Sequence, residues 1–288
     1  MYTDMFGKSR AKIGLHIHTT VSDGRKSPEE AAKMYKEAGF DAIAITDHWR
    51  FGKQTVLSGL NILPGVEFDI IQPEFKVFHI VCLCADKEPT GLTKMSSAQQ
   101  VVDEIHACGG LAVLAHPAWS LNTPDDILAV NGFDATEIYN SVSNVGMSFR
   151  PDSSLIVDML GYEGRYYPLL ATDDTHYYDG CDNFVSFIMA ECDPSDPESV
   201  KKAIKEQRFY ASQGPEIHLS RDGNTFRVDC SPVEKIVFAS NQPWCRRVFD
   251  GNGITSAEYT PLETERFIRA FVVDKDGKYA WSNIIPIK

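Results

Sequence analysis

Six of the eight histidines in this 288-residue chain stand at or near the C-terminal ends of short apolar runs. No other feature restricts the fold as strongly, because imidazoles that recur at strand ends need an architecture that gathers those ends in one place. Gly14-Leu15-His16-Ile17-His18 sets two of them two residues apart, and residues i and i+2 of a strand share a face. Two converging imidazoles suit zinc, manganese or iron, although the fragment alone also fits a pair of hydrogen-bonded core histidines. In Ile45-Thr46-Asp47-His48 adjacent side chains point apart, so His48 is read as a ligand and Asp47 as the acid that orients an imidazole. Gly65-Val66-Glu67 and His79 follow. In Ala115-His116-Pro117 the proline is expected to hold His116 extended. Thr172-Asp173-Asp174-Thr175-His176 then repeats the two-residue spacing with Asp174 and His176.

The apolar runs predict strands over Ala11–His18, Asp41–Thr46, Asn61–Phe68, Lys76–Cys84, Leu111–His116, Ala135–Tyr139 and Tyr166–Thr172. Helical patterns lie between several of them. Ser27-Pro28-Glu29-Glu30 is a helix start that runs to Gly39, and Ser97–Cys108, Pro124–Val130 and Asp152–Leu160 are further helices. Such alternation predicts parallel strands with helices packed outside, and functional residues at the strand ends favour closure into a barrel. Phe184–Ala190 and Pro197–Gln207 add one strand and one helix. After Gln213-Gly214-Pro215 the pattern becomes short strands with Asp-Gly turns, as in Arg221-Asp222-Gly223-Asn224 and Lys275-Asp276-Gly277. The expected division is 1–213 and a small all-β, sandwich-like domain over 214–288.

Composition narrows the function. The net charge of −12, from 28 Lys and Arg against 40 Asp and Glu, argues against sequence-blind binding to long nucleic acid. No apolar run approaches the roughly 18 residues that cross a bilayer, and residues 1–13 lack the apolar core of a signal peptide. Seven cysteines without a C-x-x-C pair do not form a disulfide framework, so a reducing cytoplasm is expected.

Taken in order, His16-Ile17-His18 with Ser22-Asp23-Gly24, Thr46-Asp47-His48, Gly65-Val66-Glu67, His79, His116-Pro117 and Asp174-Thr175-His176 resemble the PHP (polymerase and histidinol phosphatase) metallo-phosphoesterases. The C-terminal stretch ending in Gly277-Lys278-Tyr279-Ala280-Trp281-Ser282-Asn283 looks like the β-tail of the subgroup related to carbaryl-type hydrolases. The resemblance implies a distorted seven-stranded (β/α) barrel with two or three divalent ions (Zn, Mn or Fe) at its mouth. It implies His16, His18, Glu67 and Asp174 on one ion, bridging Glu67 with His79 and His116 on a second, and Asp23, His48 and His176 on a third. Many members carry an acid two residues before the first histidine, where this chain has Gly14.

The activity implied is hydrolysis of a small phosphate ester, a nucleotide or sugar phosphate, by metal-activated hydroxide. Asp47, Arg50 and Arg150 are the candidate catalytic residues, the two arginines as phosphate contacts; Arg25 and Lys26 are further candidates and Asn140 is expected near the mouth. There is no G-x-S-x-G nucleophile, and Cys82 and Cys84 lie out of phase with His79. Two other readings compete. An amidohydrolase-like carbamate or amide hydrolase also begins with H-x-H, but typically bridges its metals with a lysine carbamate where this chain offers Glu67. A non-catalytic metal-binding scaffold is disfavoured by the complete ligand set. The expected partner is a small phosphorylated substrate, with no long nucleic acid and no membrane.

Overall fold

A computed structural model describes residues 1–145, 148–244 and 246–287, with Glu74 described for its backbone only. The fold is mixed α/β. Ser9–Gly14 pairs in parallel with Ala42–Ala44, which pairs in parallel with Leu60–Leu63. A second sheet runs Gly65–Ile71, Val77–Leu83, Leu111–Leu114, Ala135–Asn140 and Leu169–Thr172. Two parallel bridges, His48 with Glu67 and Ile17 with Thr175, join the sheets at either margin and complete a circuit of pairings.

The expectation of parallel strands holds for only part of this circuit. Gly65–Ile71 and Val77–Leu83 are antiparallel, as are Val77–Leu83 and Leu111–Leu114. The first of these connections is a 3-10 turn, Pro73–Phe75, and a parallel return needs a dozen or so residues. The strand expected over 61–68 is also divided. Pro64 separates Leu60–Leu63 from Gly65–Ile71, so one apolar run serves both sheets.

The helix starts follow the sequence closely. Pro28–Glu37 is capped by Ser27, whose Oγ accepts from the Glu30 N–H while its own N–H donates to the Glu30 carboxylate. Ala98–Ala107 repeats that box with Ser97 and Gln100. Val101, Val102 and Ile105 bury one face of this helix against Phe68, Ile80 and Leu114 in a single apolar cluster.

The region after residue 214 departs from a separate sandwich. Its strands hydrogen-bond into the same sheet as the first strand, through the order 225–239, 267–273, 279–281, 209–212, 187–190 and 9–14. Arg269 reaches back to the carboxylate of Asp158 at 2.7 and 2.8 Å, and Phe267 packs so tightly on Gly161 that a Cβ there would meet its ring at 2.6 Å. A long strand at Val248–Tyr259 escapes sequence reading because its Gly251-Asn252-Gly253 reads as a turn. Its register with Thr225–Ala239 shifts on both sides of Val233: before it the extra residues lie on 225–239, where Pro232 has no N–H to donate, and after it they lie on 248–259, at Gly251-Asn252-Gly253.

Candidate metal centre

The ladder of Ser9–Gly14 ends two residues before His16, yet the chain beyond it stays tied on both sides. The Thr46 N–H donates to the Ile17 carbonyl at 2.8 Å, Asp174 to the His16 carbonyl at 2.9 Å, and His18 to the Thr175 carbonyl at 3.0 Å. This bracing turns both imidazoles inward, where they are fully buried. Glu67 reaches the same point because its N–H donates to the Thr46 carbonyl at 3.1 Å.

Three overlapping groups of side chains result. His16, His18, Glu67 and Asp174 form the innermost; Glu67, His79 and His116 form the second; His18, Asp23, His48 and His176 form the third. Glu67 Oε2 lies 3.2 Å from His16 Nε2 and 3.0 Å from His18 Nε2, while Asp174 Oδ1 lies 3.3 and 3.2 Å from the same atoms. The other oxygen, Glu67 Oε1, lies 2.9 Å from His79 Nδ1 and 3.4 Å from His116 Nε2. Asp23 Oδ2 stands 3.7 Å from His48 Nε2 and 3.4 Å from His176 Nε2.

The donor set fits cations better than it fits itself. His16 Nε2, His18 Nε2, His48 Nδ1 and Asp174 Oδ1 are buried without a hydrogen-bond partner, a costly condition for so many polar atoms. Neighbouring ligands of a tetrahedral ion with bonds of about 2.0–2.1 Å stand roughly 3.3 Å apart. The innermost group already has that spacing.

Without a cation the charges compensate each other. Burial pulls His16 and His18 down, but Asp174 and Glu67 outweigh it and hold both well above the ordinary imidazole value. Burial pushes Glu67 and Asp174 up, yet the surrounding imidazoles bring both well below the usual carboxylate range. His48 goes the other way: burial lowers it despite Glu67.

Several residues around the cluster fix its geometry, and sequence reading assigned them no such role. Glu137 Oε1 lies 2.7 Å from His16 Nδ1, and its Oε2 accepts from the His116 N–H and from Asn140 Nδ2, each at 2.8 Å. Asn140 also donates to Asp174 at 3.2 Å. Glu137 supplies the carboxylate that Gly14 lacks; a Cβ at Gly14 would crowd only the end of Ile17, at 3.3 Å. Asp182 accepts the N–H groups of His176, Tyr177 and Tyr178 at 2.6, 2.6 and 3.0 Å, fixing the loop that carries His176. Asp173, pushed up to about 6 by burial, accepts the Phe184, Val185 and Ser186 N–H groups. The signal for Glu137 was its place at a strand end; nothing local marked Asp182.

Four expectations need correction. His116 is left-handed (φ 27°, ψ 58°) rather than extended, because its N–H is drawn to Glu137 while its ring turns towards Glu67. Asp174 shares that rare backbone, at φ 52°. Asp47 is bonded to no imidazole; it accepts from the backbone and hydroxyl of both Thr19 and Ser22, and so shapes the turn that presents Asp23. Arg50 and Arg150 are exposed and line no part of the cavity over the cluster.

That cavity holds about 380 Å³. Arg25 is the one Arg or Lys among the described residues lining it, with its guanidinium 4.5 Å from the centre of the Tyr177 ring. Trp119, Val142 and Val145 give it an apolar wall. Cys82 and Cys84 belong to apolar clusters, and His106 pairs with Asp134 on the surface.

The family model for the PHP domain matches residues 14–112. An uncharacterized protein of Methanocaldococcus jannaschii is 26% identical over 157 residues, which are 47% of this chain and 85% of that protein. Among solved structures, a two-domain protein from Bacteroides vulgatus, described as containing a predicted PHP-like metal-dependent phosphoesterase, superposes with a TM-score of 0.58 at 14% identity. That match covers 100% of this chain and 97% of the other, and it speaks to the fold alone. A lesion-specific endonuclease from Pyrococcus furiosus aligns at a TM-score of 0.49 and 15% identity, over 69% of this chain and 56% of its own.

Proposed function

We infer that this chain, which carries a PHP domain over residues 14–112, is a metal-dependent phosphoesterase that hydrolyses a small phosphate ester such as a nucleotide or sugar phosphate. The observation that carries this reading is the set of orphaned, buried ligand atoms on His16, His18, His48 and Asp174, gathered around Glu67 at one cavity that His48, Glu67 and Asp174 line. We read the circuit of strand pairings as the distorted seven-stranded barrel of that family, with 1–213 as the metal-binding unit and 214–288 as an all-β appendage.

His16, His18, Glu67 and Asp174 would hold one ion, Glu67, His79 and His116 a second, and Asp23, His48 and His176 a third, each zinc, manganese or iron. Bound there, such ions lower the pKa of water and offset charge on a phosphoryl group. The protein's own part is orientation. Glu137 fixes the tautomer and plane of His16, Asn140 steadies Asp174, and Asp47 and Asp182 hold the two loops that carry Asp23 and His176. Arg25 is the fixed cation within reach of a phosphate's outer oxygens. Glu67 occupies the bridging position where an amidohydrolase-like centre would need a modified lysine, and no lysine lines the described cavity.

The test is a turnover screen of the metal-loaded protein on phosphate monoesters, diesters and long single-stranded nucleic acid. Release of phosphate from small esters faster than cleavage of long strands supports the reading. Faster cleavage of the strands, or hydrolysis of carbamates and amides only, overturns it.

A further inference from the structure

The two ends of the histidine cluster face different surroundings. At the end formed by Asp23, His48 and His176 stands Arg25, tied by its N–H to the His176 carbonyl at 2.9 Å and braced against Tyr177. At the end formed by Glu67, His79 and His116 stands Trp119, its ring centre 5.5 Å from His79 and 5.0 Å from His116 in edge-on contacts. Val142 and Val145 extend the apolar wall, and Ser143 and Ser148 line the cavity beside them. Trp119 is only half-buried, so part of its indole faces the opening.

A cation at one end and an indole at the other would orient an ester lying across the cluster. We propose that the site selects phosphate monoesters whose alcohol half is a flat apolar ring, with the outer phosphate oxygens on Arg25 and the ring against Trp119. This rests on the phosphoesterase reading and names its substrate class. The anion needs Arg25 because the described residues of the rim include no other Lys or Arg, and a guanidinium held on an aromatic face loses little freedom on binding. The ring needs Trp119 because a half-exposed indole gains by covering its apolar face. A cavity of about 380 Å³ accommodates one such ester.

Binding of two compounds that cannot be hydrolysed separates this proposal from the reading it rests on. Phenylphosphonate and methylphosphonate carry the same charged head, and only the first carries a ring. Calorimetric titration of the metal-loaded protein is expected to give phenylphosphonate roughly tenfold the affinity of methylphosphonate. Trp119→Ala is expected to remove most of that preference and Trp119→Phe to retain it. Arg25→Ala should weaken both ligands together, by roughly tenfold, with Arg25→Lys intermediate. Equal affinity for the two phosphonates in the natural protein, or an equal loss of both in Trp119→Ala with metal content intact, overturns the proposal. Failure to hydrolyse any phosphate ester while the phosphonate preference persists would instead remove the phosphoesterase reading.

Discussion

Glu137 Oε1 lies 2.7 Å from His16 Nδ1, on the side of the ring opposite the cluster. The contact sets which imidazole nitrogen is free to bind a cation, and it comes from a strand far along the chain from the histidine it orients. Glu137→Ala should therefore leave a folded protein whose innermost site binds metal roughly 10–100-fold more weakly. Competition with a chromophoric chelator measures this directly; unchanged affinity would show that His16 is held by its own strand.

Glu67 faces two groups at once, with Oε2 towards His16 and His18 and Oε1 towards His79 and His116. Glu67→Gln is expected to reduce metal content at both, and to flatten the rise in melting temperature that metal addition is expected to give the natural protein. His218, which packs on Phe6 away from the cluster, is the control: its replacement by Ala should leave metal content unaltered. Elemental analysis showing full loading of Glu67→Gln would end the bridging assignment.

The metal-free protein should show a pH optimum set by the cluster. His16 and His18 are raised above 6.5 in the fold, so their stabilisation is full below 6.5 and lost as pH climbs through their folded values. Glu67 and Asp174 are depressed from 4.5 and 3.8, so theirs is full above those values and lost as pH falls through the folded ones. In the presence of a chelator, urea midpoints should be higher at pH 6 than at pH 8. Added metal should reverse that order, because binding must displace the imidazole protons.

Gly24 has no room for a side chain. A Cβ there would lie 2.3 Å from the His18 carbonyl oxygen, so the turn between Asp23 and Arg25 must shift to accept one. Gly24→Ala should cost about 1–3 kcal/mol of stability and weaken the outermost metal position selectively. Anomalous diffraction at saturating metal would show density lost beside Asp23 and retained beside Asp174.

The ligand pattern was legible because its carriers are short, local and repeated at strand ends. His16 with His18, and Asp174 with His176, announce themselves by spacing alone. The helix starts were legible for the same reason, since Ser27 and Glu30 cap within one turn. What the sequence hid is non-local. Glu137 and Asp182 act through contacts that only the closed circuit creates, and Arg25 differs from Arg50 and Arg150 in nothing but where the chain turns. His116 was misread because a rule about its neighbour Pro117 lost to two stronger demands, its N–H bond to Glu137 and its ring's turn towards Glu67. The strand at Val248–Tyr259 was hidden by Gly251 and Gly253, which look like a turn and lie in an irregularity of the ladder, between Asp250 opposite Lys235 and Ile254 opposite Val233.

The pairing of Ala211 and Ser212 with Trp281 and Ala280 gives the C-terminal strands a protective office. Phe209–Ser212 is buried, and its far side is already taken by Phe187–Ala190. A chain cut after residue 213 would leave that strand with an open row of amide and carbonyl groups, flanked by the apolar surface that Trp281 and Phe267 now cover. Such an edge is a template for pairing with another molecule. The late strands therefore guard the sheet that leads to the first two histidines against self-association, and a protein clipped there should cluster before it unfolds.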